Sequence, residues 1–209
     1  MVNLTKLNQK YRNFSQFFIF LILGLFLFLG IGLFSLPKVE AKDVPSETIA
    51  SNNNWQYASF PVESFHSYSS PFGYRKSPTG GNTKEFHKGL DIVGPLGSYI
   101  RNWWTGQVIE LTDNTACGTA ITIQSGDWTH VYCHLMGKVK VSGSGRYLSD
   151  SEGGIELWLG EQVESGARIG RIGMTGRTTG PHLHWGLKYG GKYVDPGLVL
   201  SEMYKEQNT

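Results

Sequence analysis

Polar and basic positions fill the chain up to residue 16, and then no charge occurs from 17 to 36 (F-F-I-F-L-I-L-G-L-F-L-F-L-G-I-G-L-F-S-L). About 20 such residues suffice to cross a bilayer as a helix. The run is apolar on every face, unlike the one-sided stripe of a surface helix. Lys6, Lys10 and Arg12 precede it, which predicts a cytoplasmic residue 1–16 segment and export of the rest. Val39-Glu40-Ala41 has the small residues a signal peptidase reads, so cleavage after Ala41 and an uncleaved transmembrane anchor both stay open. Residues 37–59 are mostly polar and predict a linker.

From Phe60 the pattern changes to short apolar-polar alternations broken by glycine. S-Y-I-R-N-W-W, G-Q-V-I-E-L, T-A-I-T-I, T-H-V-Y-C-H-L, A-R-I-G-R-I-G-M and H-L-H-W-G-L-K-Y are the clearest. Short strands at close spacing predict a mostly β domain over 60–200, an antiparallel sheet or sandwich, with 201–209 as a tail. No helical period of useful length follows residue 42. Residues 139–160 look inserted, with strand-like pieces around 146–148 and 155–159, and suit a hairpin at a groove rim or a surface excursion.

Composition supports this picture. Glycine is abundant, at 27 of 209 residues, and 13% of residues are aromatic, which favours turns and strands. The first 41 residues hold four basic side chains and one acidic. Of the chain's 19 and 17, that leaves 15 and 16, a net charge of −1 for the exported part. A near-neutral domain argues against nucleic-acid binding driven by general electrostatics. The two cysteines, Cys117 and Cys133, are expected to form a disulfide in an oxidising compartment. The alternatives are two free thiols or a metal role for Cys133. Neighbours on a strand point to opposite faces, so Cys133 is expected to face away from whatever His134 faces.

The candidate chemistry lies in histidines. His182 and His184 are two apart in G-P-H-L-H-W, so on a strand both imidazoles share a face. His87 and Asp91 are four apart in F-H-K-G-L-D. Extended backbone would separate them by roughly 13 Å, too far for one ion with ligand bonds of about 2 Å. A site that uses both therefore needs a helical turn or a folded loop, and Gly89 makes a loop reasonable. His134 in V-Y-C-H-L alternates with Tyr132 and His130, and that face is expected to bring His134, with Tyr132, toward the groove. His66 and His130 are expected outside the site. Imidazoles with one carboxylate make the ligand set of a catalytic zinc that keeps a fourth position open. Geometry alone does not say which histidines are ligands.

The order S-P-F-G-Y-R, F-H-K-G-L-D-I-V-G-P-L-G, Y-C-H-L, G-M-T-G-R-T-T-G-P-H-L-H and Y-V-D-P resembles the lysostaphin/LytM-type zinc endopeptidases (metallopeptidase family 23) over about residues 65–198. The resemblance implies an antiparallel sheet with a groove, of the duplicated hybrid motif type. It implies one Zn2+ per chain on His87, Asp91 and His184, with His134 and His182 assisting catalysis. It further implies hydrolysis of peptide cross-links in peptidoglycan by a metal-activated water, in the periplasm or cell envelope, with the membrane as a partner if the anchor is kept. The alternatives are a non-enzymatic wall-binding regulator of other hydrolases and an exported peptidase that acts on proteins. Trp185-Gly186 stands where the family often has an aromatic residue and a glutamate.

Overall fold

A computed structural model describes residues 55–209, except Thr79 and Gly81. The apolar run at 17–36, its basic flank, Ala41 and the linker up to 54 lie outside the described residues. Among the described residues no helix is long and apolar enough to cross a membrane.

A 3-10 turn, Trp55–Tyr57, leads into the strands. These are β1 (Ser67–Ser70), β2 (Gly73–Lys76), β3 (Lys84–His87), β4 (Leu90–Val93), β5 (Tyr99–Arg101), β6 (Gly106–Thr115), β7 (Gly118–Ser125) and β8 (Trp128–Cys133). They continue with β9 (Lys138–Ser142), β10 (Gly145–Asp150), β11 (Ile155–Trp158), β12 (Gln162–Val163), β13 (Arg168–Arg171), β14 (His182–Tyr189) and β15 (Lys192–Val194). Helix α1 (Pro196–Gln207) follows. The main sheet runs β1-β4-β14-β8-β7-β6-β12, with β15 paired to β14, and every pairing is antiparallel. The mostly β, antiparallel expectation holds.

Register sorts this sheet into two faces. Trp185 lies opposite both Leu90 and Tyr132, and Tyr132 lies opposite Ile121. Directly opposed residues project to the same side, so this row is the core, and Trp185, Tyr132 and Ile121 are fully buried. The next row, Asp91–His184–Cys133, projects to the other side. Under the sheet, Trp103 packs on Trp55, Trp128 and Trp185 at centroid distances of 5.3–5.6 Å.

The core departs from the sequence expectations in four places. Trp55 and Ala58, expected in the linker, are buried in it. Helix α1 exists where no helical period was found. It buries only Val199, Leu200 and Met203 beside Pro196, too few for a visible stripe. Its start was nonetheless written in Asp195-Pro196, because Asp195 accepts from Gly197 N at 2.8 Å and proline fits the first helical position. Gln207 at its far end donates to the carbonyls of Trp55 and Ala58, both at 2.8 Å.

The 139–160 segment is a three-stranded sheet, β11-β10-β9, and not a surface excursion. Leu148, Ile155 and Leu157 join the core, and Arg171 of β13 clamps Asp150 with two bonds of 2.7 Å. Finally, the face shared by His130 and Tyr132 is the core face, not the groove. The Tyr132 hydroxyl accepts from Trp103 N and donates to Asn102 Oδ1, and it meets His130 Nδ1 at 2.8 Å. His130 Nε2 meets Ser125 Oγ at 2.8 Å. Burial pushes the His130 pKa down to about 3 and raises that of Tyr132.

Candidate metal centre

Strand β14 carries His182 and His184 on the face away from the core, with fully buried Leu183 between them. Asp91 stands opposite His184 on β4. His87 ends β3, which pairs only with β2 in a separate two-stranded sheet. The chain turns from one sheet into the other within Lys88-Gly89, and this corner is the folded loop the spacing allowed. Gly89 is required for a reason the sequence did not show. A Cβ there would lie 2.6 Å from Trp185 O and 2.8 Å from His184 Cε1.

The corner brings three donor atoms to one point. His87 Nε2 is 3.0 Å and His184 Nδ1 is 2.9 Å from Asp91 Oδ1, and the two nitrogens are 2.9 Å apart. Ligands around a tetrahedral ion with bonds of about 2.0–2.1 Å stand about 3.3 Å apart, so a few tenths of an ångström of outward movement seats one. The second nitrogen of His87 supports this fit. His87 Nδ1 lies 2.7 Å from Pro71 O, a carbonyl that only accepts. The proton of a neutral His87 ring therefore sits on Nδ1, and Nε2 turns a lone pair inward. Ligating histidines are commonly held in this way by a backbone carbonyl.

Electrostatics favour a cation at this point. Burial opposes the charge on Asp91, but the hydrogen bonds and field of His184 and His87 outweigh it and hold its carboxyl well below the usual carboxylate range. Arg75 Nη1 donates to the outer oxygen, Asp91 Oδ2, at 2.8 Å, and also to Ser70 Oγ. This leaves Oδ1 turned toward the histidines. Burial pushes the His184 pKa down, against the pull of Asp91.

His134 and His182 stand beside the triad. His182 Nε2 is 3.6 Å from Asp91 Oδ1, beyond hydrogen-bond range, and its Nδ1 donates to Gly180 O at 2.9 Å. The His134 and His182 ring centroids are 4.9 Å apart. His134 Nδ1 donates to Thr175 O at 2.9 Å. Burial pushes the His134 pKa down to about 4. All five residues line one open groove of about 460 Å³, with Arg75, Glu85, Phe86, Cys117 and Arg177 among its walls. Arg177 Nη2 donates to Glu85 Oε2 at 3.0 Å across it. No residue of 139–160 lines the groove, so that segment is not its rim. His66 and His130 lie apart from it.

His134 reaches the groove by a route that simple alternation misses. Strand β8 ends at Cys133, and His134 has φ +65°, the left-handed region. The turn reverses its side chain relative to Tyr132. Cys133 is therefore on the His184 face, and the expectation that it looks away from the His134 side is corrected. It is joined to Cys117 in a disulfide, as expected.

With three converging donors in a groove over an antiparallel sheet, the family follows from comparison. Residues 85–196 match Peptidase family M23. The chain belongs to this family. The DD-carboxypeptidase/endopeptidase Mpg of Neisseria meningitidis is 33% identical to this chain over 132 residues, 63% of this chain and 26% of that protein. The chain thus spans about a quarter of the length of the curated relatives it matches. A zinc containing peptidase from Vibrio cholerae superposes with a TM-score of 0.51 at 26% identity, covering 66% of this chain and 38% of that one. The catalytic domain of lysostaphin from Staphylococcus simulans shares the fold, with a TM-score of 0.51 at 21% identity over 65% of this chain and 92% of that domain. Membership in M23 and the lysostaphin-type likeness agree with the sequence reading.

Arg75, Pro71 and Thr175 are the site's supporting groups that sequence reasoning did not assign. Arg75 stood in S-P-F-G-Y-R, but no spacing rule brings its guanidinium to Asp91. The other two act through backbone carbonyls, which no residue type announces.

Proposed function

We propose that this chain is a zinc peptidase of the cell envelope that hydrolyses peptide cross-links of peptidoglycan. The observation that carries the reading is the convergence of His87 Nε2, Asp91 Oδ1 and His184 Nδ1 within 3.0 Å of one another. A bound zinc supplies a Lewis acid that polarises the scissile carbonyl and makes a water acidic enough to attack near neutral pH. His87, Asp91 and His184 hold it, with Pro71 O and Arg75 fixing two of them. His134, with its pKa pushed down to about 4, is neutral at pH 7. Its Nδ1 proton is committed to Thr175 O, so it exchanges protons through Nε2. It takes a proton from the attacking water and returns it to the departing amine. His182 faces the same point through Nε2, and with its Nδ1 proton held by Gly180 O that nitrogen offers a lone pair that shares in relaying the proton.

The Neisseria relative's name supports a D,D-type bond in the stem-peptide cross-link as the target. A disulfide on the groove face and the apolar run at 17–36 support an exported domain, anchored or released. The complete set of ligands and proton-transfer histidines sets it apart from a non-enzymatic wall-binding module. Digestion of purified peptidoglycan by the full chain, with mass identification of the fragments, tests the reading. Cross-linked dimers should fall to monomers, and chelation of the metal should stop this. Unchanged dimers, or cleavage that survives complete metal removal, would overturn it.

A further inference from the structure

The left-handed backbone of His134 costs about 1–2 kcal/mol in a residue with a Cβ. Among the described residues it is the one non-glycine with positive φ, so something must hold it. Part of the hold is backbone, since β14 pairs with Cys133 and His134 O accepts from Gly173 N at 2.9 Å, but the β7 ladder on the other side gives none. Pairing of β7 with β8 stops at Ile121–Tyr132, one residue before Cys133. Where the ladder ends, the disulfide begins, joining Cys133 to Cys117 in the β6–β7 turn with their Cα atoms 4.8 Å apart. His134 N donates to Cys117 O at 2.8 Å, so the same cysteine holds the backbone on both sides of the Cys133–His134 peptide. The far side of the turn is packed as closely. Arg177 N donates to Ala116 O, and Gly176 leaves no room for a side chain against the Ala116–Cys117 backbone. This loop carries Thr175, whose carbonyl takes the His134 Nδ1 proton and whose hydroxyl accepts from Thr119 N.

We infer that the Cys117–Cys133 disulfide is a positioning element for His134: it fixes the β6–β7 turn against the end of β8 and so aims the imidazole over the metal ligands. This deepens the proposed function and rests on it for the role of His134. No side chain of His87, Asp91 or His184 is hydrogen-bonded to either cysteine, and although Cys133 lies opposite His184 on β8, His184 is also held by its pairing with Asp91 on β4. Opening the bond should therefore impair turnover and leave the metal in place. Cys117 is half-buried and lines the groove, so a small reductant reaches it.

The test compares the zinc-loaded full chain before and after treatment with a water-soluble phosphine, and with a C117S/C133S variant. The phosphine becomes its oxide with oxygen taken from water, and the two sulfurs leave as thiols, counted by alkylation. Three readouts are followed: zinc per chain, kcat and KM on a soluble cross-linked stem-peptide dimer, and the imidazole Nδ1–H resonance of His134. The expected result is unchanged zinc content, a kcat lower by roughly a hundredfold with KM little changed, and loss of the His134 resonance while that of His87 remains. Reoxidation should restore the phosphine-treated protein.

Equal kcat in both states, or a His134 resonance indifferent to reduction, overturns the inference while the proposed function stands. Loss of zinc or global unfolding in both reduced forms also overturns it, because the bond would then hold the sheet and not His134. An oxidised protein that cleaves nothing refutes the proposed function, and the His134 resonance then decides the positioning by itself.

Discussion

Gly89→Ala tests whether the β3–β4 corner builds the metal centre. The added Cβ would sit 2.6 Å from Trp185 O, where ordinary contacts begin at 3.4 Å, so about 0.8 Å must be found. Trp185 cannot yield it. Its ring is fully buried, and its backbone is paired on both sides, to Leu90 and to Tyr132. The Lys88–Gly89 corner has to back away from it, and the His184 ring, 2.8–2.9 Å from the same Cβ, has to turn as well. That moves Nδ1 away from Asp91 Oδ1 and His87 Nε2, both 2.9 Å distant. Overpacking of this kind costs about 1–3 kcal/mol, offset by about 0.4–1 kcal/mol from the stiffer unfolded chain. A net loss of about 1–2 kcal/mol is expected in the metal-free protein. Displacing one ligand's support weakens metal binding by about 10- to 100-fold. Urea unfolding of the metal-free chain and competition with a chromophoric chelator measure the two effects. Gly143→Ala is the control, since a Cβ there meets nothing within 4 Å. It should leave the metal untouched and stability equal or slightly raised. A G89A protein that binds zinc as tightly as its parent would refute the argument that this corner sets the position of His184.

Replacing His134 by Ala should lower kcat by roughly 10²–10⁴-fold with zinc still near one per chain by atomic absorption. Loss of the metal would make His134 a ligand. His130 should make the metal-free fold acid-sensitive. Its pKa falls from 6.5 to about 3 on burial, so the unfolded chain binds the extra proton. The contribution is complete above pH 6.5 and is lost as pH falls toward 3, amounting to roughly 3 kcal/mol by pH 4. Urea midpoints between pH 7 and 4 should show a shallower slope for H130Q than for the parent, and equal slopes would count against the buried neutral ring. Asp195→Ala removes the cap of α1 and should cost about 1 kcal/mol, read by the same urea titration, with kcat unchanged because the helix lies outside the groove.

Period-two alternation made the most of the fold legible. It located β14 and placed His182 and His184 together, because those strands are long and one face is wholly apolar. The method failed where local geometry departed from that period. His134 turns over at φ +65°, so the face assigned from His130 and Tyr132 was the core face. Helix α1 escaped because tertiary contacts, and not a broad apolar stripe, hold it. Trp55 escaped because a single tryptophan in polar surroundings carries no period. Within the site, the ligand set followed from the family likeness. The partners that fix each ring are carbonyls and an arginine from other segments, brought close only by folding.

The two-faced character of β14 also limits how this chain can change length. Inserting or deleting one residue between His184 and Trp185 would reverse the two histidines relative to the rest of the strand, so that either the imidazoles meet the tryptophan cluster or Trp185 and Leu187 turn to the groove side. Catalysis and folding would fail in the same step, with no intermediate sequence to cross. The hairpin between β9 and β10 has no such coupling, since Gly143 and Gly145 have open space around them. Descendants of this sequence can therefore grow or shrink at that hairpin while the register of His182 to Tyr189 stays fixed.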